Sequence, residues 1–91
     1  INTMIGHAAA NQIPIIASNR IGNETEGALE LNFYGNSFIL DHLGNLINKM
    51  NDKDEGIITA SLDLLISREY RKLWGNFRDR RPDLYKKILD F

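Results

Sequence analysis

The chain has 91 residues, of which 43% are hydrophobic and 25% are charged. This balance is typical of a folded protein and excludes collagen-like and low-complexity classes. There is no cysteine, so neither a disulfide framework, nor a thiolate zinc site, nor a cysteine nucleophile can form within the chain. At this length it is either one small domain or a piece of a larger one.

Charge is distributed unevenly around the net value of −1. Residues 1–67 carry 3 basic and 8 acidic side chains, a net charge of −5, and residues 68–91 carry 8 basic and 4 acidic, a net charge of +4. Acidic residues interrupt the basic stretch, so nucleic-acid binding is not expected. No apolar run approaches the roughly 18 residues of a membrane span, and no signal peptide is recognisable. We therefore expect no membrane contact and a cytoplasmic location.

The first 34 residues predict one helix and two strands. An apolar stripe from Met4 to Ala10 predicts a helix that ends near Asn11, because Pro14 disfavours helical geometry in the residue before it. The apolar run 13–17 predicts an interior strand covered on both faces. The polar stretch 19–27 predicts a surface loop. The alternating residues 29–34 predict a half-buried strand.

The remaining chain predicts a hairpin, another strand and two helices. Residues 37–40 and 46–50 flank a turn at 41–45 and predict the hairpin, and the β-branched run 57–62 predicts a strand. Asp63 is a good N-cap for a helix over 64–73 that Gly75 ends. A last short helix is predicted over 84–89. The class is α/β, with the helix and sheet strands in residues 1–63 and the C-terminal helix and tail in 64–91.

Few side chains form a recognisable chemical site. His7 and His42 lack metal-ligand spacing, so we interpret both as structural or surface residues and expect no metal or cofactor. The Gly-x-Ser-x-Gly pattern of serine hydrolases is broken, since Ile39 follows Ser37 where the second glycine belongs. We therefore do not expect a serine hydrolase.

Two other groups are candidates for binding. Asn19 and Arg20 follow the apolar strand, where α/β sheets often bind ligands, and either ligand contact or a loop-stabilising role fits them. The C-terminal tail is rich in aromatic and arginine residues, which are enriched in protein interfaces. We predict a subunit interface there, with packing of the tail on its own domain as the alternative. Its candidate residues are Trp74, Phe77, Arg78, Arg80, Arg81 and Tyr85, accompanied by Tyr70, Arg71 and Phe91.

Four segments carry a family resemblance that runs almost the whole length of the chain. They are Gly-His-Ala-Ala-Ala-Asn at 6–11, Ala-Ser-Asn-Arg-Ile-Gly at 17–22, Phe-Tyr-Gly-Asn-Ser-Phe-Ile at 33–39 and Trp-Gly-Asn-Phe-Arg-Asp-Arg-Arg-Pro-Asp-Leu-Tyr at 74–85. In this order they resemble the last third of carbon-nitrogen hydrolases of the nitrilase superfamily. The 74–85 segment is the most specific, and resembles the N-carbamoylputrescine amidase branch.

The resemblance implies the C-terminal portion of a four-layer αββα sandwich that is incomplete on its own. It also implies a homo-oligomer and a Glu-Lys-Cys catalytic set, whose members lie upstream of the matching segment in this family, so that no catalytic residue is expected within this chain. By the same resemblance, Asn19 and Arg20 are expected to form part of the wall of the substrate pocket. The expected partners are therefore the upstream catalytic segment, other copies of the enzyme and a small carbamoyl amine. The activity that the resemblance implies is hydrolysis of N-carbamoylputrescine to putrescine, ammonia and carbon dioxide. The alternatives are another N-carbamoyl amine or an ω-amide as substrate, or a non-catalytic interaction module that binds through residues 74–91.

Overall fold

A computed structural model describes residues 1–90, so the interface prediction for Phe91 lies outside the described residues. The order of elements confirms the α/β class. The elements are α1 (Asn2–Asn11), β1 (Ile15–Ala17), β2 (Ile21–Glu26), β3 (Leu29–Tyr34), β4 (Phe38–Leu40), β5 (Leu46–Lys49), α2 (Leu64–Trp74) and two 3-10 helices at Pro82–Leu84 and Lys86–Leu89. None of the helices within residues 1–90 has the length and apolar content to cross a membrane.

Helix α1 packs on a three-stranded antiparallel sheet in the order β1-β4-β5. It ends at Asn11 as predicted, where Gln12 adopts a left-handed conformation with φ of 56° and its N–H bonds to the carbonyl of Ala8. The small core formed between helix and sheet contains Ala8, Phe38 and Leu40. Because β4 lies between β1 and β5, all three of its residues are buried.

The prediction of an interior strand at 13–17 is wrong for the described chain. The strand covers only Ile15–Ala17, and it lies at the edge of the sheet. Ile15 and Ala17 pack toward the core, while Ile16, which points to the opposite face by the two-residue period, is 70% exposed. The face of the sheet away from α1 is therefore open at its β1 edge, while Ile39, which lies opposite Ile16 on that face, is 4% exposed.

The surface-loop prediction for 19–27 is also wrong, because most of this stretch is strand β2. It pairs antiparallel with β3 from Ile21↔Tyr34 to Glu26↔Leu29. Gly27 allows this tight reversal because its φ is 61°, a conformation that glycine adopts without the steric cost of a Cβ. Within residues 1–90 no second layer covers the hairpin, so β3 is mostly exposed instead of half-buried.

Predictions for the second half are partly confirmed. The β4–β5 hairpin forms, and so does α2, where the Asp63 side chain accepts hydrogen bonds from the main-chain N–H groups of Leu65 and Ile66. Residues 57–62 form no strand because they find no ladder partner within residues 1–90. The helix predicted at 84–89 is replaced by the two 3-10 helices, since short segments favour tighter turns.

The chain buries little apolar surface for its length. Its radius of gyration is 18.3 Å, whereas a compact domain of this size has about 12 Å. Ile57 is 91% exposed and Leu73 is 79% exposed. This geometry agrees with a fragment of a larger sandwich, in which other segments cover the exposed apolar residues. A division of the chain at residues 63 and 64 stays a prediction.

Candidate functional site

The segment after β1 is tied to the start of β4 by Asn19. Its side-chain Nδ2 donates to the carbonyl of Gly35 at 2.8 Å, and its Oδ1 accepts from the main-chain N–H of Arg20 at 2.9 Å. The main-chain N–H of Asn19 donates to the hydroxyl of Ser37 at 2.8 Å. Both ends of the Asn19 amide are thus engaged within the chain, which fixes its orientation.

Gly35 lets the chain pass close to its neighbours at this point. Its φ is 55°, and a Cβ built there would lie 2.5 Å from the side chain of Ile21 and 3.0 Å from the carbonyl of Asn51. Asn36 is also left-handed, with φ of 60°, and its N–H bonds to the same Asn51 carbonyl at 3.2 Å. From the sequence, Gly35 and Asn36 only follow the end of the strand predicted over 29–34, and their left-handed path was not predicted. Their preference for left-handed geometry was the available signal.

Arg20 turns toward the hairpin. Its guanidinium lies 4.3 Å from the centroid of the Phe33 ring and forms an ion pair with Glu24. Its main-chain carbonyl accepts from the N–H of Gly35 at 2.9 Å. The loop-stabilising contacts of Asn19 and Arg20 are therefore present in the structure, and their role as walls of a substrate pocket stays a prediction.

Ser18 and Asn19 belong to the linings of two clefts. One has a volume of about 450 Å³ and includes Lys49 in its lining. The other has a volume of about 480 Å³ and includes the carboxylates Asp54 and Glu55. These volumes are in the range of small-molecule sites. Neither lining contains a cysteine or a histidine, so the clefts offer polar walls without an activated nucleophile.

Part of the predicted interface is organised by contacts within the tail. Arg78 and Arg81 each make two side-chain hydrogen bonds to a nearby carboxylate, Asp79 and Asp83 respectively. These bonds lower the pKa values of both carboxyl groups and raise those of both guanidinium groups. The main-chain N–H of Arg81 also donates to the hydroxyl of Tyr85 at 3.2 Å. The two guanidinium forks are thus already occupied within the chain.

Aromatic contacts connect other parts of the tail. Phe77 has the guanidinium of Arg71 4.7 Å from its ring centroid and that of Arg80 5.8 Å away. Tyr70 contacts Trp74, with ring centroids 6.3 Å apart, and also His42 in the β4–β5 turn at 5.3 Å. Trp74 is 60% exposed despite this contact. The structure therefore groups Phe77 with Arg80, and the subunit contact stays a prediction.

No metal centre is visible in the part of the chain that the structure describes, which contains no group of three or more potential metal-ligating side chains from His, Cys, Asp and Glu. His7 is exposed on α1. His42 meets the Tyr70 ring at its edge. Both positions agree with structural or surface roles for the histidines.

Comparison with known proteins gives a consistent result. Residues 2–72 match the family model described as carbon-nitrogen hydrolase. Over 94% of its length the chain is 50% identical to an N-carbamoylputrescine amidase from Oryza sativa subsp. japonica and 43% identical to a citrullinase from Francisella tularensis. A carbon-nitrogen hydrolase from Helicobacter pylori G27 superposes with a TM-score of 0.85 at 41% identity over 98% of this chain.

In each of these matches the chain covers only part of the longer protein. The chain spans 30% of the rice and Francisella proteins and 31% of the solved Helicobacter chain. The TM-score of 0.85 shows that the arrangement of helices and strands in this chain is similar to that of a part of the longer Helicobacter chain.

Proposed function

The chain belongs to the carbon-nitrogen hydrolase family, and we propose that it forms the C-terminal third of an amidase that hydrolyses N-carbamoylputrescine. The products would be putrescine, ammonia and carbon dioxide, in cytoplasmic polyamine synthesis. The observation that carries this proposal is the identity of 49 to 50% with plant N-carbamoylputrescine amidases along 94% of the chain.

The similarity continues past the segment that the family as a whole shares. The family model ends at residue 72, so the 19 residues after it make up about a fifth of the chain. An alignment covering 94% must include most of these residues. This tail contains the Trp-Gly-Asn-Phe-Arg-Asp-Arg-Arg-Pro segment, which supports a narrower assignment than the family alone.

In this proposal the catalytic groups belong to the part of the enzyme that the chain does not span. With no cysteine among the 91 residues, the nucleophile that attacks the carbamoyl carbon must come from that part, together with a glutamate acting as base and a lysine steadying the oxyanion. The chain would contribute Asn19 and Arg20 as pocket walls. The hydrogen bonds of Asn19 to Gly35 and Arg20 would hold that wall rigid.

The substrates for which the relatives are named indicate which kind of bond the enzyme would cleave. N-carbamoylputrescine and citrulline both end in a ureido group, NH–CO–NH₂. The relatives named for them are 50% and 43% identical to the chain. A 2-oxoglutaramate amidase from Bacillus subtilis, named for a primary amide, is 34% identical. We therefore favour a ureido substrate over a primary amide, with other N-carbamoyl amines and ω-amides as the alternatives.

Ammonia release by the full-length protein tests the proposal. N-carbamoylputrescine, L-citrulline and 2-oxoglutaramate would be supplied at equal concentrations, and the ratio of their kcat/KM values compared. We expect N-carbamoylputrescine to have the highest value. A preference for 2-oxoglutaramate would overturn the assignment of a ureido substrate. Activity on citrulline alone would keep that assignment and replace N-carbamoylputrescine with citrulline as the substrate.

A non-catalytic interaction module is the second candidate. The exposure of Trp74, Leu84 and Tyr85 favours it, since such side chains provide contact area for a partner. Purified full-length protein that releases no ammonia from any of the three compounds, while remaining folded, would support this candidate. The enzyme proposal also includes subunit association through the tail, because relatives of this type are expected to be homo-oligomers by the resemblance above.

A further inference from the structure

The hydroxyl group of Ser37 bonds to both main-chain polar groups of Asn19. It accepts a hydrogen bond from the N–H of Asn19 at 2.8 Å, and it donates one to the carbonyl of the same residue at 3.3 Å. A serine hydroxyl has one donor and two acceptor sites, so both bonds can exist at once. The function proposed above gives no role to Ser37, although its hydroxyl holds the residue assigned to the pocket wall.

These two bonds replace strand pairing at the point where the sheet ends. Strands β1 and β4 pair as far as Ala17↔Phe38, and a continued antiparallel register would bring Asn19 opposite Asn36. Asn36 is left-handed, with φ of 60°, so the main chain leaves the ladder there. Within residues 1–90 the main chain of Asn19 therefore has no ladder partner, and the Ser37 side chain takes the place of one.

Ser37 is itself anchored on its other side. Its main-chain carbonyl accepts from the N–H of Met50, just after β5, at 2.8 Å. The preceding residue, Asn36, donates its main-chain N–H to the carbonyl of Asn51 at 3.2 Å. The hydroxyl group thus extends from a main chain that hydrogen bonds hold in place. Support of this kind keeps a binding site more precisely in position than a free loop does.

Ser37 and Asn19 also line the same cleft, which is the one of about 480 Å³ that includes Asp54 and Glu55. The side-chain amide of Asn19 is bonded separately to the carbonyl of Gly35 at 2.8 Å. Both the main chain and the side chain of Asn19 are therefore set by residues 35–37. Loss of the Ser37 hydroxyl would free the Asn19 main chain and shift its amide group within the cleft.

We propose that Ser37 is a positioning residue for the hydrolysis, because its hydroxyl fixes the main chain of Asn19 and thereby the wall of the substrate pocket. The inference rests on the function proposed above, in which Asn19 is part of that wall. Ser37 acts through Asn19 and not as a nucleophile. Within residues 1–90 the cleft lining contains no histidine that could activate its hydroxyl group.

Kinetics of the full-length protein with N-carbamoylputrescine test this role. Ser37→Ala removes both bonds to Asn19 and should lower kcat/KM at least about tenfold, because a small displacement of a substrate-positioning group costs much of the rate. Ser37→Thr retains a hydroxyl group and should keep kcat/KM within about threefold of the wild-type value. A Ser37→Thr variant that is as stable as the wild type but as impaired as Ser37→Ala would overturn the proposal.

Ser67→Ala is the matched control for a general loss of stability. It also removes a serine hydroxyl that bonds to the main chain, at 2.7 Å from the carbonyl of Gln12, but Ser67 lies outside the linings of both clefts. It should lower the free energy of unfolding and leave kcat/KM unchanged below the unfolding temperature. Equal losses of kcat/KM in Ser37→Ala and Ser67→Ala would show that Ser37 acts only through stability, and the proposal would be wrong.

A double-mutant cycle tests whether Ser37 acts through Asn19. Asn19→Ala removes the amide group that Ser37 is proposed to position. In that background Ser37→Ala should lower kcat/KM by no more than about twofold further, because residues that act as one unit have non-additive effects. Losses that multiply in the double variant would mean that the two residues act independently, which overturns the positioning role.

The activity of the wild type separates this proposal from the proposed function. If the wild type hydrolyses only citrulline or 2-oxoglutaramate, the assigned substrate is wrong, and the same variants are compared with the substrate that it accepts. A loss of about tenfold in Ser37→Ala would then still support the positioning role. A folded wild type that is inactive on all three compounds overturns both the proposed function and the role of Ser37.

Discussion

Ser67 of α2 donates its hydroxyl to the main-chain carbonyl of Gln12 at 2.7 Å. Each of the two residues is only 4% exposed. Gln12 is the left-handed residue that ends α1, so this bond joins the end of one helix to the first turns of the other. It connects residues that are 55 positions apart in the sequence.

Replacing Ser67 with alanine should lower the free energy of unfolding by about 1 to 3 kcal/mol, because the buried carbonyl of Gln12 would lose a donor that water cannot replace. Urea denaturation of the full-length protein measures the change. Ser61→Ala is the matched control, since Ser61 is exposed. Equal stability of the two variants would show that the bond between the helices contributes nothing measurable.

The parts of the fold predicted from sequence are those with local signals. Asp63 and Gly75 mark the two ends of α2, and both cap it as expected. Pro14 marks the end of α1. Each of these effects acts within a few residues, so it is readable without knowledge of the tertiary structure.

The elements that the sequence predicts wrongly are those that depend on a partner strand. Strand β2 is polar, and its strand geometry comes from the ladder with β3 across the Gly27 turn. Residues 57–62 have strand-forming side chains but no partner strand in the described chain. In both cases the pairing overrides intrinsic propensity.

For the same reason, the sequence predicts only part of the candidate site around Asn19. Asn19 was identified by its position after a strand, which is a local property. Its bond to Gly35 spans 16 residues and depends on the left-handed path of Gly35 and Asn36. That path brings the two segments together only in the folded chain.

Gly35 offers a test of that path. Gly35→Ala should destabilise the protein by about 2 to 4 kcal/mol, because the new Cβ is strained at positive φ and overlaps Ile21 and the Asn51 carbonyl. Gly27→Ala has a similar φ of 61° but no atom within 4 Å of the added Cβ, and should cost about 1 to 2 kcal/mol. The difference between the two, measured by urea denaturation, isolates the steric overlap. A Gly27 variant as unstable as the Gly35 variant would refute it.

Asn19→Asp tests whether the wall position matters for the reaction. The substitution replaces the amide donor with a carboxylate oxygen facing the Gly35 carbonyl, so both a hydrogen bond and a favourable electrostatic contact are lost. We expect the unfolding free energy to fall by about 1 to 3 kcal/mol, and kcat/KM for N-carbamoylputrescine to fall at least tenfold.

Asn32→Asp, at an exposed hairpin position, is the control for the added charge. If Asn19→Asp lowers stability but keeps kcat/KM, Asn19 stabilises the loop without lining the pocket. A fall in kcat/KM below the unfolding temperature, absent in the control, supports the wall assignment.

Asp41 gives the hairpin turn a pH-dependent stability. Partial burial raises the pKa of this carboxyl group, but hydrogen bonds from the Asn45 side chain and from the main-chain N–H groups of Asn45 and Leu43 outweigh it and hold the pKa below its ordinary value of 3.8. A lowered pKa in the folded state adds stability above the unfolded value, and that contribution is lost as pH falls from 3.8 through the folded pKa.

Asp41→Asn should therefore reduce stability at pH 7 and flatten its dependence on pH below about 4, since asparagine cannot titrate and its amide group would face the three donors with one acceptor oxygen. Urea denaturation of the wild type and variant between pH 2.5 and 7 measures both effects. The loss at pH 7 should be about 0.5 to 1.5 kcal/mol, as for an exposed hydrogen-bonded turn.

Asp52→Asn removes an exposed carboxylate and should leave the pH dependence below 4 close to that of the wild type. If both variants alter the acid limb equally, net charge and not the turn at Asp41 controls it.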